Sequence, residues 1–338
     1  MQEPDPPRDL TPSDPEQLGA ISTSDIFSKD EIRELTTASD LQGAFSVWLT
    51  WSLIALCFAM VMWSSHPLVI LLAIIVLGNR QLALAVLMHE CSHRSLFATR
   101  SWNRPVGHWL CGASTWSRVD AYREHHLKHH NYTGTERDPD RSLVTPFPTS
   151  SSSLARKLLR DLSGISGVRR AVGLLSMDVG LIEYTDAPEY HRTDLRGRTV
   201  ADYVGDALRN FGPTLLANVV LAAVLTLVAS PWLYLLWVGA WLTTYGFFLR
   251  IRAIAEHACL EWTPNRLENT RTTDSNFITR LLVAPHHVNY HLEHHLLMTV
   301  PHYNLARMHQ IVKERGHLTS TNHATGYLQI LRLAAGRS

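Results

Sequence analysis

Four long apolar runs, with Arg80 as their only charged residue, constrain the fold of this chain more than any other feature. The runs are residues 45–63, 68–88, 214–229 and 232–249. About 20 apolar residues are needed to cross the hydrocarbon layer of a membrane. The third run is short, so we expect its helix to begin before Pro213 or to fit the membrane with a slight mismatch. The pattern predicts an all-α integral membrane protein with four transmembrane helices rather than buried helices of a soluble protein.

Short connections join the runs in pairs and set the predicted orientation. Residues 64–67 and 230–231 are turns without lysine or arginine, so the runs form two helical hairpins. Because basic residues concentrate on the cytosolic side of membrane proteins, the other ends of the runs and both chain termini are predicted to be cytosolic. The net charge is +1 and only 18% of the residues are charged. That balance excludes a strongly basic nucleic-acid binder, so no nucleic-acid partner is expected.

Composition divides the chain into three parts. Residues 1–40 are rich in proline near their start and poor in apolar runs, which predicts a disordered N-terminal tail. Residues 41–320 are predicted to form one membrane domain, and residues 321–338 a C-terminal tail. Within the domain, residues 154–177 mix apolar and basic side chains. This is typical of an amphipathic helix on a membrane surface, although an ordinary cytosolic helix would fit nearly as well.

Histidine is the anomaly of the composition, because most of the 19 histidines fall into four groups. The first group lies at residues 89–93, directly after the second apolar run. The second lies at residues 125–130 and the third at residues 286–295, while His257 stands alone just beyond the fourth run. On a helix, residues three or four apart share a face, so several imidazoles of one group can reach one metal ion.

The predicted topology places all four groups on the cytosolic side at a similar depth, which favours a shared metal site. Nine imidazoles are the candidate ligands: His89, His93, His126, His129, His130, His257, His291, His294 and His295. A catalytic zinc needs only three protein ligands, so nine nitrogens favour two ions of a redox metal. The predicted fold is therefore two membrane hairpins with a cytosolic helical cap that holds a histidine-rich di-metal site.

Two other functions are compatible with parts of this pattern. Read alone, residues 89–93 match the HExxH signature of zinc peptidases, which would leave most of the other histidines unexplained. A metal transporter is the second alternative, but its binding site would be expected near the middle of the membrane. The histidines lie beyond the ends of the apolar runs instead.

The histidine groups resemble the three histidine boxes of the membrane fatty acid desaturase superfamily. Residues 89–93 read HECSH, residues 126–130 read HLKHH and residues 291–295 read HLEHH. The flanking sequence is also similar, since Asp-Pro-Asp at residues 138–140 follows the second box and Asn-Tyr precedes the third. The resemblance covers roughly residues 45–315.

The resemblance implies an O2-dependent di-iron oxidoreductase that introduces a double bond into a fatty acyl chain reached from the membrane. It implies that the nine histidines are iron ligands, and that electrons come from an external donor such as a ferredoxin or cytochrome b5. His125 is an alternative to His126, because HxxxHH spacing also occurs in the family. Some desaturases have asparagine where this chain has Ala253, so the resemblance does not determine the full coordination of the second iron. A hydroxylase or ketolase of the same superfamily, acting on an acyl chain, an alkane or a carotenoid, is the alternative function.

Other polar residues beside the boxes are candidates for further ligands or for groups that orient the imidazoles. Metal-bound histidines usually donate their second ring N–H to a carboxylate, a carbonyl or water. The candidates are His125, His287, Asp138, Asp140, Glu90, Glu256, Glu293 and Asn289. Arg80 is costly inside a membrane unless it has a partner, so we expect it to reach the membrane surface or, as we favour, to pair with a carboxylate.

Overall fold

The structure is a computed structural model that describes residues 21–336, and nearly all of its regular secondary structure is helical. In the first half the α-helices are α1 (Thr23–Ile26), α2 (Lys29–Leu35), α3 (Asp40–Trp63), α4 (Pro67–Ser92), α5 (Arg100–Pro105), α6 (Val119–Tyr132), α7 (Arg141–Val144), α8 (Ser151–Leu162) and α9 (Ile165–Asp178). In the second half they are α10 (Val200–Asn210), α11 (Gly212–Val228), α12 (Trp232–Leu242), α13 (Thr244–His257), α14 (Arg266–Asn269), α15 (Phe277–Leu282), α16 (His291–Leu296), α17 (Leu305–Glu314) and α18 (Tyr327–Ala334). Two short strands, β1 (Thr272–Thr273) and β2 (His323–Ala324), pair in parallel. The described chain also contains a π-helix at Val106–Gly112 and 3-10 turns at Ala113–Thr115, Pro285–His287 and His302–Asn304.

Within residues 21–336, three helical segments are long and apolar enough to cross a membrane, namely α3, α4 and the pair α12–α13. A fourth segment qualifies only if α10 and α11, which are bent by 48° relative to each other, form one span. The predicted run at residues 214–229 thus folds as α11, a helix of 17 residues that is too short by itself. The described helices are therefore compatible with a multi-pass membrane protein of three or four spans.

Helix α4 lies at the centre of the bundle because it is apolar on every side. It packs against α3, α12 and α13, and its side chains from Leu77 to Ser92 are almost all buried. Ile54 of α3 and Trp237 of α12 belong to the same cluster of buried apolar side chains as Leu77. The helix continues beyond the apolar run as far as Ser92, so it carries the first histidine box to the end of the bundle.

Both predicted tails contain regular secondary structure in the residues that the structure describes. Residues 1–20 of the predicted N-terminal tail lie outside them, but α1 and α2 bury Ile26 and Leu35 among side chains of α16 and α17. In the predicted tail at residues 321–338, β2 pairs with β1, and α18 buries Ile330 against α8 and α13. Short helices with few apolar residues leave no long apolar run, so composition alone does not indicate that they pack against the domain.

The mixed apolar and basic segment at residues 154–177 folds into two helices rather than one. Gly164, with a φ of 81°, separates α8 from α9. Large apolar side chains of both helices are exposed, among them Leu159, Val168 and Val172. Exposed arginines lie in the same two helices. The pair therefore has the mixed apolar and basic surface that is typical of helices at a membrane interface.

Arg80 is buried in α4, and the expectation that it pairs with a carboxylate is wrong. Its guanidinium donates hydrogen bonds to the backbone carbonyl of Leu281, at 2.8 Å, and to the side-chain oxygen of Asn79. Leu281 lies in the last turn of α15, where backbone carbonyls carry a partial negative charge that stabilises a cation.

Gly78 allows α4 to approach α13 closely. A methyl group at this position would lie 2.1 Å from the hydroxyl oxygen of Thr244 and 2.6 Å from the backbone nitrogen of Tyr245. We expect Gly78→Ala to lower the free energy of unfolding by about 1–3 kcal/mol, the usual cost of overpacking. Gly239→Ala in α12 is the matched control, because nothing in the described structure lies within 4 Å of its added methyl group. Thermal unfolding in detergent measures both variants, and equal stability would contradict the close packing at Gly78.

Candidate metal centre

Four helices bring the nine candidate histidines together. His89 lies in the last turn of α4 and His93 is the residue that caps it, while α13 ends at His257. α6 and α16 carry the second and third boxes. The box spacings place their imidazoles on one side of each helix, directed towards the same region. Eight of the nine residues are buried, and His257 is partly buried.

Among the residues that the structure describes, the nine histidines fall into two groups, each small enough to hold one metal ion. The first group contains His89, His93, His126, His130 and His294, and the second contains His129, His257, His291 and His295. Within each group the possible ligand atoms all lie within 4.8 Å of one another. Nε2 of His130 lies 3.0 Å from Nε2 of His126, and Nε2 of His291 lies 2.8 Å from Nε2 of His257. Residues 89–93 therefore share a group with the other boxes and do not form a separate peptidase-like pair.

The electrostatic state of these imidazoles fits a metal site. Burial lowers the pKa of His126, His130 and His294 well below the usual range, and neighbouring histidines add to the effect. The rings are therefore neutral at pH 7, and a neutral imidazole has the lone pair that a metal ligand needs. Within residues 21–336, the buried Nε2 atoms of His93 and His295 make no hydrogen bond. Such atoms are costly without a partner, and a bound cation would remove that cost.

The pKa of His129 differs from those of His126 and His130 because the ring of His129 forms a hydrogen bond with a carboxylate. Its Nδ1 lies 2.8 Å from a carboxylate oxygen of Asp138. Burial lowers the pKa of His129, but the charge of Asp138 and this hydrogen bond outweigh burial and raise it to about 9. Because Nδ1 is bound to Asp138, Nε2 is left for the second group, and a cation bound there would displace its proton. Asp138 is thus placed to orient His129 as a metal ligand.

His125 lies outside both groups, whereas His126 belongs to the first. Nε2 of His125 lies 2.7 Å from a carboxylate oxygen of Asp140. The backbone N–H of Asp140 in turn donates to Asp138 at 2.9 Å, so one short segment fixes His125 and His129 together. The structure therefore favours His126 over His125 as a ligand of the second box.

Two of the candidate glutamates lie beside histidines of the two groups. One carboxylate oxygen of Glu90 lies 3.5 Å from Nδ1 of His89, and the other accepts the backbone N–H of His302 at 2.8 Å. Glu256 lies 3.5 Å from Nδ1 of His291 and pairs with an arginine one turn earlier in α13. Both carboxylates border the groups and can restrict the rotation of the rings beside them.

The three remaining candidates bond to the scaffold of the third box and lie outside the two groups. Glu293 and Asn289 each form a hydrogen bond with a threonine of β1. Glu293 also accepts a hydrogen bond from Nδ1 of His309 at 2.6 Å. Nδ1 of His287 lies 3.1 Å from the backbone carbonyl oxygen of His302. These contacts position α16 and the turn before it.

Two contacts of the groups involve residues that the sequence analysis did not identify. Tyr122 stacks on His126, with ring centroids 4.9 Å apart. It lies four residues earlier in α6, and that helical spacing is the signal that could have identified it. Nδ1 of His257 lies 3.0 Å from the backbone carbonyl oxygen of Asn269, a contact that no side-chain pattern indicates.

Comparison with known proteins agrees with this geometry. The model of the fatty acid desaturase family matches residues 63–325, a range that includes every histidine of both groups. The chain belongs to the fatty acid desaturase family. Dihydrorhizobitoxine desaturase of Bradyrhizobium elkanii is a similar protein, with 26% identity over 299 residues that cover 84% of this chain and 80% of the relative.

Family membership confirms the resemblance that the three boxes indicated. The protein is therefore an oxidoreductase of the desaturase type. Its apolar helices are compatible with a multi-pass membrane protein, and its two histidine groups are compatible with bound metal.

The structure distinguishes His126 from the adjacent His125. His126→Ala removes one nitrogen of the first group, so we expect the metal content per chain to fall to about half. His125→Ala removes contacts with Asp140 and Tyr184 but no nitrogen of either group, so the metal content should stay at the level of the unmodified protein. Metal analysis of the purified proteins measures both, and the opposite order would make His125 the ligand.

Asp138→Asn keeps the size of the side chain but removes the charge that holds His129. Loss of a group that orients a ligand typically lowers metal affinity about 10–100-fold. We expect the second group to lose affinity to this extent, measured by competition with a chelator. Asp120→Asn in α6, the helix that carries His129, is the control, because Asp120 is exposed and pairs with Arg104. Equal affinities of the two variants would show that Asp138 does not act on the site.

Proposed function

We propose that this protein is a membrane-bound, O2-dependent di-iron desaturase that introduces a double bond into a fatty acyl chain with electrons from an external donor. The observation that carries the proposal is the division of nine histidines into one group of five and one group of four. A zinc hydrolase needs only three ligands around a single ion, whereas two adjacent imidazole-rich groups suit a pair of redox-active ions. Membership of the desaturase family favours iron among these metals.

The reaction needs oxidising power that the side chains lack. An unactivated methylene group has no acidic proton and no leaving group, so acid–base chemistry of the protein cannot attack it. Two irons, held by the first and second groups, would supply that power together with O2. In the balanced reaction, –CH2–CH2–, O2, two electrons and two protons give –CH=CH– and two molecules of water.

The protein itself shields the ligand nitrogens from solvent and holds them in position. Burial of the boxes excludes water from their nitrogens. Asp138 fixes the ring of His129, while Glu90 and Glu256 border the two groups. Such fixed placement matters because the outcome of hydrogen removal depends strongly on where the acyl chain lies relative to the site.

We further propose that the histidine groups and both termini lie on the cytosolic side, where a ferredoxin-like or cytochrome b5-like donor delivers electrons. The turns at residues 64–67 and 230–231 have no lysine or arginine, whereas Arg156 and Arg160 of α8 are exposed. α8 packs against α13, the helix that ends at His257. A basic surface near the site would attract an acidic electron donor.

Two alternatives differ in product or substrate but use the same site. A hydroxylase or ketolase of this architecture would leave oxygen on the acyl chain, the alkane or the carotenoid instead of forming an alkene. The second alternative comes from the similar protein in Bradyrhizobium elkanii, whose name gives dihydrorhizobitoxine as its substrate. That compound is therefore a second candidate substrate for this chain.

Expression in a host that supplies a reductase and a matching donor tests the proposal. The purified protein should contain about two irons per chain, and mass spectrometry should detect new double bonds in the acyl chains of the host. His294→Ala should lose iron and all desaturation, because His294 belongs to the first group. His191→Ala is the control, since His191 is exposed and lies outside both groups.

Other outcomes would redirect the assignment. New oxygen in the acyl chains would identify a hydroxylase or ketolase. Unchanged lipids together with desaturation of added dihydrorhizobitoxine would replace the acyl substrate with that of the relative. Zinc without iron, combined with unchanged lipids, would reject every oxygenase function.

A further inference from the structure

A third group of possible metal ligands lies apart from the two histidine groups. It consists of Asp274, His309 and His323, whose ligand atoms lie within 4.8 Å of one another. These residues belong to none of the three boxes. Asp274 directly follows β1, His323 lies in β2 and His309 lies in α17, so three segments distant in sequence meet at this point.

The spacing of the third group resembles that of the two histidine groups. Nε2 of His323 lies 2.9 Å from a carboxylate oxygen of Asp274, and nitrogens within the histidine groups lie 2.8 and 3.0 Å apart. Bonds of about 2.0–2.2 Å to one ion place neighbouring ligand atoms about 3 Å apart. The pairing of β1 with β2 fixes this distance, because the backbone N–H of Asp274 donates to the carbonyl of Ala324 at 2.8 Å.

A second, independent feature marks His309 as a ligand. Its Nδ1 lies 2.6 Å from a carboxylate oxygen of Glu293, whose side chain is completely buried. A carboxylate on one ring nitrogen is the usual way in which proteins orient a metal-binding histidine, and it leaves the other nitrogen for the metal. Asp138 holds His129 through the same atom.

We propose that Asp274, His309 and His323 bind one zinc ion, with water completing the coordination. Two imidazoles and one carboxylate form a donor set that zinc accepts, with the remaining position left open. The side chains of Asp274 and His323 are 52% and 23% exposed, so solvent can reach that position. The site is separate from the proposed di-iron centre and does not depend on it.

The bound zinc would link the C-terminal segment, which contains β2 and α18, to the rest of the domain. It joins β2 to β1 and to α17, and the contact between His309 and Glu293 extends this connection to α16. The hydrogen bond from Thr272 to the same carboxylate links β1 to α16 as well. Zinc at this point would therefore stabilise the contacts of β1 and α17 with α16, the helix of the third box.

Metal analysis of full-length protein in detergent, after dialysis against a weak chelator, tests this proposal. The unmodified protein should retain about one zinc per chain, and Asp274→Asn and His323→Gln should each lose it. His317→Gln is the matched control, because His317 follows α17 but lies outside the group. Zinc held by the nine histidines would be retained by all four proteins. The difference between the proteins therefore reports on the third group alone, even if the di-iron proposal fails.

A thermal unfolding measurement provides a second readout. After the metal is stripped, micromolar zinc should raise the unfolding temperature of the unmodified protein and of His317→Gln, but not that of the other two variants. Asp274→Asn alters an exposed side chain, so it should fold even if His323→Gln does not. Equal zinc content in the unmodified protein and Asp274→Asn, or no zinc retained by either, would overturn the proposal.

Discussion

Buried imidazoles placed about 3 Å apart impose the constraint on which the rest of this structure depends. Two protonated rings at that distance would repel each other strongly in a medium of low polarity, so the rings of each group are stable together only when most are neutral. Each neutral ring, however, has only one N–H, so four or five converging rings cannot satisfy all of their nitrogens by hydrogen bonds to one another. A cation satisfies several lone pairs at once. The arrangement of the boxes is therefore compatible with bound metal.

The long apolar helices and the terminal segments both position this cluster. α4 and α13 each end at the cluster, so the packing of these two helices fixes His89, His93 and His257. α16 is too short to hold its position alone. Ile26 and Leu35 of the N-terminal helices pack against its apolar side, and β1 bonds to Glu293 within it. Segments that look like tails in the sequence are thus part of the support of the third box.

Sequence spacing predicted the boxes and the family, but not the division of the histidines. Residues i and i+4 share a helical face, so the convergence of each box could be foreseen. His129 and His130 are adjacent and lie in different groups, because successive residues of a helix are rotated by about 100°. Which group each residue joins depends on how α6 is turned against α13 and α16, and that is a property of tertiary packing. The partners of Arg80 were missed for the same reason, since they include a backbone carbonyl from a distant helix.

A carboxylate beside a histidine is not sufficient to identify that histidine as a metal ligand. The ring nitrogen that the carboxylate contacts must also be considered. Asp140 contacts Nε2 of His125, the nitrogen at the outer end of the ring, and that histidine lies outside all three groups of possible ligands in the described chain. Asp138 and Glu293 contact the inner nitrogen, Nδ1, of His129 and His309 instead. In both of these cases the outer nitrogen stays available, and the histidine belongs to a group of possible metal ligands. His309 of the proposed zinc site meets this criterion through Glu293, although it belongs to no histidine box.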